Sequence, residues 1–277
     1  NVYDPRDPTH DIDDRTTWGP SRNAALVWAW FRTHPYGRKK PMSEINWTKL
    51  ATEADICDEV VVGIESTQPR YTCDIAIPDN KERHVAEREI LMSCDAIIAH
   101  DSLGKTYIRV GKYHAPNVVL RRNRDIVAME STETNNGEQQ KSGVIVKYID
   151  PASGYKAVSS APWKHPDRFV QGEANEYEVV KIETIQNHNQ AMRLAKIIGE
   201  RSLSERRIAP TCGLRALGAY RDRVVNIAYD NTIAGDFDIV SQIEIDQAGM
   251  FIGFAALPVA ADPGNLPPAE QPPKPAV

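Results

Sequence analysis

Near residue 70 the hydrophobic period of this chain changes. Before that point apolar residues recur three and four positions apart, which lines up one face of a helix. After it they alternate, which lines up one face of a strand. Asn23 is placed to cap a helix through Ala24, Ala25, Leu26, Val27, Ala29, Trp30 and Phe31. His34-Pro35-Tyr36-Gly37 then stops it, because a proline disfavours helical geometry in the residue before it. Asn46 is the next cap, with Trp47, Leu50, Ala51, Ala54 and Cys57 on a common face. Residues 1–58 thus read as a helical connector, and Trp18, Trp30 and Trp47 are expected to pack its helices onto the adjoining domains.

In 71–77, Tyr71, Cys73, Ile75 and Ile77 alternate with Thr72, Asp74 and Ala76, the pattern of a half-buried strand. A helix carrying Val85, Ala86, Ile90 and Cys94 inward follows. Strands over 96–100 and 105–110 come next, joined by the turn Asp101-Ser102-Leu103-Gly104. Residues 59–125 therefore form a small α+β domain. Residues 126–257 read as a longer, β-rich domain. Strand 144–149 ("VIVKYI") is closed by Asp150-Pro151 and Ser153-Gly154, and 159–175 reads as an ordered loop. Strand 177–182 precedes a helix over about 188–205 with the stripe Ala191, Leu194, Ala195 and Ile198. Strands are then expected over 214–219, 224–229, 238–245 and 250–257. Many strands around one inserted helix point to a barrel or sandwich, and the chain as a whole to the α+β class. Residues 258–277 are proline-rich with little to bury, an extended, semi-rigid linker.

Composition excludes several classes of function. A formal net charge of −5 leaves no global basic footprint for nucleic acid or an anionic membrane. No apolar run approaches the roughly 18–20 residues of a membrane-spanning helix. Cys57, Cys73, Cys94 and Cys212 are scattered without a C-x-x-C, so buried free thiols are expected and not a disulfide framework or a zinc site. Asp4, Asp7, Asp11, Asp13 and Asp14 with His10 form the obvious metal suspect, but lack the glycine and terminal glutamate of a calcium loop and read as solvated turns. The seven histidines (10, 34, 84, 100, 114, 165, 188) include no metal-binding pair on one helix face. No nucleophile elbow or phosphate-cradling loop occurs, and "GLRALGAY" lacks the strand-loop-helix setting of a dinucleotide site. The basic run 120–124 ("LRRNR") reads as a solvated loop. Nothing singles out the facing carboxylates of a glycosidase. No catalytic, cofactor-binding or metal residue is assigned, and the chain is not expected to be an enzyme. The alternative is a cell-wall or glycan hydrolase.

The opening carries a resemblance. "VYDPRDP", "TWGPSRNAALVWAWF" and "YGRKKPMSEINWTKLATEADICDE" follow one another as in the tail-tip host-specificity proteins of long-tailed bacteriophages, the lambda tip attachment protein J type, with relatives in prophages and gene transfer agents. Tyr3, Asp4, Pro5, Arg6, Trp18, Asn23, Ala25, Leu26, Tyr36, Gly37, Ile45, Trp47, Cys57, Asp58 and Glu59 occupy that family's places. More loosely, "RYTCDIAI", "AIIAHDSLGKTYIRVG", "VIVKYIDPASGYK" and "NQAMRLAKIIGERS" are similar to its later hub domains. The resemblance implies a homotrimeric hub with tube-like β domains that closes the tail tube at the virion's tip. It implies contacts with distal tail, tip and tape-measure proteins, receptor attachment through downstream, often fibronectin-like modules, and DNA passing through the lumen unbound. The negative charge fits such a lumen. Strands 144–149 and 224–229 are the candidates for its wall or for the subunit seam. With no initiator methionine and a proline-rich exit, the chain reads as an internal piece of a longer protein.

Overall fold

Asn23 starts the first helix, α1 (Ala24–Thr33), by accepting hydrogen bonds from the Ala25 and Leu26 amides at 3.1 and 3.3 Å. In this computed structural model, residues 1–63, 67–133, 141–202, 204, 206–240, 244–246, 251–259, 266 and 272–275 are described. The chain is α+β and rich in strands, and divides into two compact units. The first comprises residues 1–111, 141–198 and 264–277, and the second 112–140 and 199–263. The sequence segments 59–125 and 126–257 each contribute to both.

In the first unit, α1 is buried on nearly every side and not along one stripe. Trp28, outside the expected apolar face, is wholly buried, whereas Trp30 is half-exposed. The helix ends where the Arg38 amide bonds back to the Phe31 carbonyl at 3.0 Å. That turn requires Gly37, since a Cβ there would lie 1.8 Å from the Phe31 oxygen. Helix α2 (Trp47–Asp58) is capped by Asn46 and buries Leu50, Glu53, Ala54 and Cys57. Helix α3 (Arg83–Ser93) buries Ala86 and Ile90, and a hairpin of Ile97–His100 with Thr106–Arg109 follows as expected.

The strand expected over 71–77 does not form. Tyr71 and Cys73 do point inward, but their amides bond to the Cys57 and Arg22 carbonyls, and Asp74 to that of Thr184. The only bridge in this stretch is Thr72 to Asn23. Alternation shows which side chains are buried; the partners its backbone finds come from loops and a helix end.

Strand Gly143–Asp150 is buried at every second residue. It pairs in parallel with Tyr177–Lys181 and antiparallel with Lys156–Ser159 and Trp163–Lys164. The short Trp163–Lys164 strand interrupts the loop expected over 159–175. Helix α4 (His188–Ser202) follows; positions 203 and 205 of the expected helix lie outside the described residues.

Among the described residues, the second unit holds an eight-stranded mixed sheet. Ile126–Glu133 pairs along nearly its whole length with Arg206–Cys212, two strands that the hydrophobic pattern does not announce. Val224–Ala228 lies between Ala234–Ile239 and Val119–Arg121. The strand expected over 214–219 is instead a 3-10 helix, Leu214–Arg221. Ala216 and Ala219, three residues apart, enter the core while Leu214 and Leu217 stay exposed, which suits three residues per turn and not a pleat. The stretch 238–245 is divided between Ala234–Ile239 and Glu244–Asp246, with 241–243 outside the described residues. Residues 250–257 hold two strands, Phe251–Gly253 and Ala256–Pro258, and Met250 lies outside the described residues. Leu120, Ile208, Val225, Ile227, Phe237 and Ile252 fill the core.

Candidate functional site

The aspartates of the opening are occupied by the fold. Asp4 takes two charge-assisted bonds from Arg6, at 2.9 and 2.8 Å, and Arg6 reaches on to Asp55 and Asp58 of α2, each at 2.9 Å. Burial pushes the Asp4 carboxyl up, but the Arg6 bonds and charge outweigh it and hold it below the usual carboxylate range. Asp7 and Asp14 accept from the hydroxyls and amides of Thr9 and Thr16, and Asp11 accepts from the Asp13 amide. These are turn-closing bonds two residues along the chain. His10 accepts from the Asp4 amide through Nδ1. Among the described residues no three His, Cys, Asp or Glu side chains converge to hold a metal ion.

Around that turn sits an aromatic cluster. The Tyr3 ring meets Trp47 edge-on at 4.9 Å and Trp18 at 5.9 Å. The Trp18 indole donates to the Asp11 carbonyl at 2.7 Å, and that of Trp47 to Met42 at 3.0 Å. Trp18 is buried and Trp47 half-buried, and both tie the opening to itself and to α2. These contacts of Trp18 and Trp47 stay within residues 1–58 and do not reach the adjoining domains as expected, and the Trp30 ring stacks on His34 at 4.5 Å along a cleft.

Glu87 of α3 makes a deeply buried charged node in the first unit. Its carboxylate accepts from the Trp28 indole at 3.2 Å and Arg32 at 3.0 Å, and pairs with Arg38 at 3.1 Å. Arg32 extends to Glu44 at 3.1 Å. Sequence spacing does not reveal this node, because Trp28 and Glu87 are 59 positions apart.

Clefts open on the first unit among its described residues. One, of 470 Å³, is lined by Trp30, His34, Tyr36, Ile75, Ile77 and Arg83, among others. His34 stacks between Trp30 and Tyr36, so a stepped aromatic wall faces the cleft. Burial, then the positive charge of Arg15, pushes the His34 pKa down, favouring a neutral ring there. A second cleft, of 420 Å³, is lined by Tyr148, Asp150, Asn187, His188, Pro273 and Lys274, among others. Thus part of the expected linker, residues 272–275, lies against the first unit; most of 258–271 is outside the described residues.

The basic run is also engaged locally. Arg124 pairs with Asp125 at 2.8 Å, and Arg122 lies over the Tyr229 ring at 4.7 Å. The strands nominated for a lumen or seam are interior ones, with both edges paired and Val224, Val225 and Ile227 buried. Exposed apolar side chains lie instead at Val60, Val62, Val179, Leu214, Leu217 and Ile245. The four cysteines are free and buried, and burial pushes the Cys73 thiol up to about 12, so it stays a thiol at neutral pH.

No family model matches the sequence, and no curated protein matches it. Solved structures do. One chain of the virion of a native gene transfer agent particle aligns over 95% of this chain and 54% of its own, with a TM-score of 0.58 and 12% identity. The 43 kDa tail protein of prophage MuSo2 from Shewanella oneidensis aligns over 66% of this chain and 55% of its own, at 14% identity and a TM-score of 0.41. A tail protein from Neisseria meningitidis MC58 aligns over 72% and 61%, at 14% identity and a TM-score of 0.42. The likeness to the gene transfer agent chain is one of fold. This chain spans between about half and three fifths of the length of these proteins.

Proposed function

We propose that this chain is a structural protein of a phage-type tail, and more specifically part of a homotrimeric hub that closes the tail tube at its tip. The observation that carries the reading is the shared fold with a gene transfer agent virion chain over 95% of the sequence. The local chemistry supports it. Asp4 and Arg6 of the opening, the buried Glu87, and Arg122 and Arg124 of the basic run spend their charges on internal ties, as expected of a part that must hold its shape under load. In this reading the subunits meet head-to-tail around a three-fold axis. Distal tail, tip and tape-measure proteins are its neighbours, DNA passes without specific binding, and the host receptor is reached through other modules. The J-type resemblance of the opening belongs to the same proposal.

The test is to image particles carrying the protein and count copies of this fold about the tail axis. Three copies on the axis are expected. Two or six copies, or a position away from the axis, would defeat the hub assignment. Turnover of purified peptidoglycan, abolished by a single Asp or Glu substitution, would replace the structural reading with the hydrolase one.

A further inference from the structure

Residues 272–275, Pro-Pro-Lys-Pro, lie against the first unit, far along the chain from their partners. Lys274 donates to Asp150 at 2.6 Å, across 124 positions of sequence. Asp150 is almost fully buried and Lys274 about one third exposed. Nε2 of His188 lies 3.3 Å from the Pro272 carbonyl oxygen, a hydrogen bond when that nitrogen carries the proton. The His188 ring in turn sits 6.0 Å from that of Tyr148, which is buried. Pro272 and Lys274 are half-buried, whereas Pro273 and Pro275 are exposed, so alternate residues engage the surface.

The chemistry of the stretch matches what it meets. Proline has no amide hydrogen, so its backbone can offer only a carbonyl, and a ring N–H on His188 is the group that could answer it. A proline-rich segment is already extended before it docks and loses little conformational freedom. The one lysine supplies charge, and Asp150 is oriented to receive it. That carboxylate also accepts from the Ala152 amide at 3.2 Å and the Ser153 hydroxyl at 2.6 Å, which fix it at the end of strand Gly143–Asp150. The Asp150 carboxylate is therefore oriented by bonds other than the one to Lys274, and open cleft remains beside it.

We propose that the cleft bounded by Tyr148, Asp150 and His188 is a recognition site for an extended proline-rich stretch carrying one lysine, and that residues 272–275 occupy it as a releasable strap. The bond to Lys274 is partly exposed, so it is weakened by salt and exchangeable, unlike the buried Glu87 node. The strap fixes where the chain lies after residue 271 on the first unit. It also leaves a site that the same motif from elsewhere fills once the strap is displaced. This inference does not depend on the tail assignment.

The test uses the full chain with the motif erased by Pro272→Gly, Pro273→Ser, Lys274→Ser and Pro275→Gly, and a fluorescent Pro-Pro-Lys-Pro peptide read by anisotropy. Circular dichroism confirms that the variant is folded. A tethered strap competes at roughly millimolar effective concentration, so a peptide of ~0.1 mM affinity binds the erased variant about tenfold more tightly than the wild-type chain. Replacing the peptide's lysine by methionine weakens it by up to about fivefold, the range of a partly exposed ion pair, and 0.5 M salt does the same. No binding to the folded variant, equal binding to variant and wild type, or indifference to the lysine would overturn the proposal.

Discussion

Removing the Glu87 carboxylate tests whether the first unit is held by its buried charges or by its apolar contacts alone. The side chains of Glu87 and Arg32 are 7% and 10% exposed, so each charge depends on its partner and not on water. Breaking such a pair by deleting one member typically costs about 3–5 kcal/mol, because the remaining charge stays buried. Here Glu44 still faces Arg32 at 3.1 Å, which softens the loss, but the Trp28 indole also loses its acceptor. Glu87→Ala is therefore expected to cost about 3 kcal/mol, the lower end of that range. For a unit of this size each kcal/mol moves the midpoint by roughly 2–4 °C, giving a fall of roughly 6–12 °C in calorimetry. Glu87→Gln keeps an acceptor for Trp28 and Arg32 and should fall between. Arg38, which binds the same carboxylate but is 36% exposed, sets the scale: Arg38→Ala should cost no more than about 1 kcal/mol. A shift below 2 °C for Glu87→Ala, or an equal shift for Arg38→Ala, would refute the reasoning.

Trp47→Ala removes a half-buried indole from the Tyr3 edge contact and from the Met42 carbonyl, and is expected to cost about 2 kcal/mol, below the 3–5 kcal/mol of a fully buried tryptophan; an unchanged melting curve would show that the cluster carries no stability. Gly37→Ala drives a methyl group into the Phe31 carbonyl and should cost about 1–3 kcal/mol by chemical denaturation. The Asp4, Glu44 and Asp150 carboxyls lie below their usual range: burial opposes this in each, and the cationic partners Arg6, Arg32 and Lys274 prevail. Their stabilisation is fully present above about pH 4.5 and is lost as pH falls through the depressed folded values, so denaturation midpoints should drop below pH 4 and Arg6→Ala should flatten that slope.

The sequence discloses elements whose determinants are local. Asn23 and Asn46 cap helices because an asparagine side chain reaches amides two or three residues on, and strand Gly143–Asp150 shows its buried face by simple alternation. Errors arise where the deciding partner is distant. Tyr71 and Cys73 have a strand's alternation, but no neighbouring strand is offered to them. The pairing of Ile126–Glu133 with Arg206–Cys212 is hidden because arginines and Pro210 break the apolar pattern of a strand whose partner is about 80 positions away. Arg6 looks like a solvated charge until α2 brings Asp55 and Asp58 to it across 49 and 52 positions. Lys274 is the extreme case, a lysine in a segment with nothing to bury that meets its carboxylate across 124 positions.

Where the family-like residues fall bears on what the resemblance means. Tyr3 meets Trp18 and Trp47, Arg6 joins Asp4 to Asp58, and Asn23 donates to the Ala54 carbonyl at 2.8 Å while capping α1. Gly37 permits the turn after α1, and Cys57 is buried against it with a thiol that burial keeps protonated. Each of these residues makes or permits a tie within the first unit. A motif spent in this way specifies how the opening folds, so it can persist in proteins that do different things at their surfaces. Tyr36, another of these residues, is the exception: it is exposed and lines a cleft beside His34. The stepped aromatic wall of Trp30, His34 and Tyr36 and the cleft at Asp150 both lie outside the opening cluster, and the second already holds a segment of the chain. Substituting the opening should change stability before it changes any interaction, whereas substitutions at Lys274, whose side chain is 30% exposed, should change an interaction while leaving the melting curve of the first unit nearly where it was.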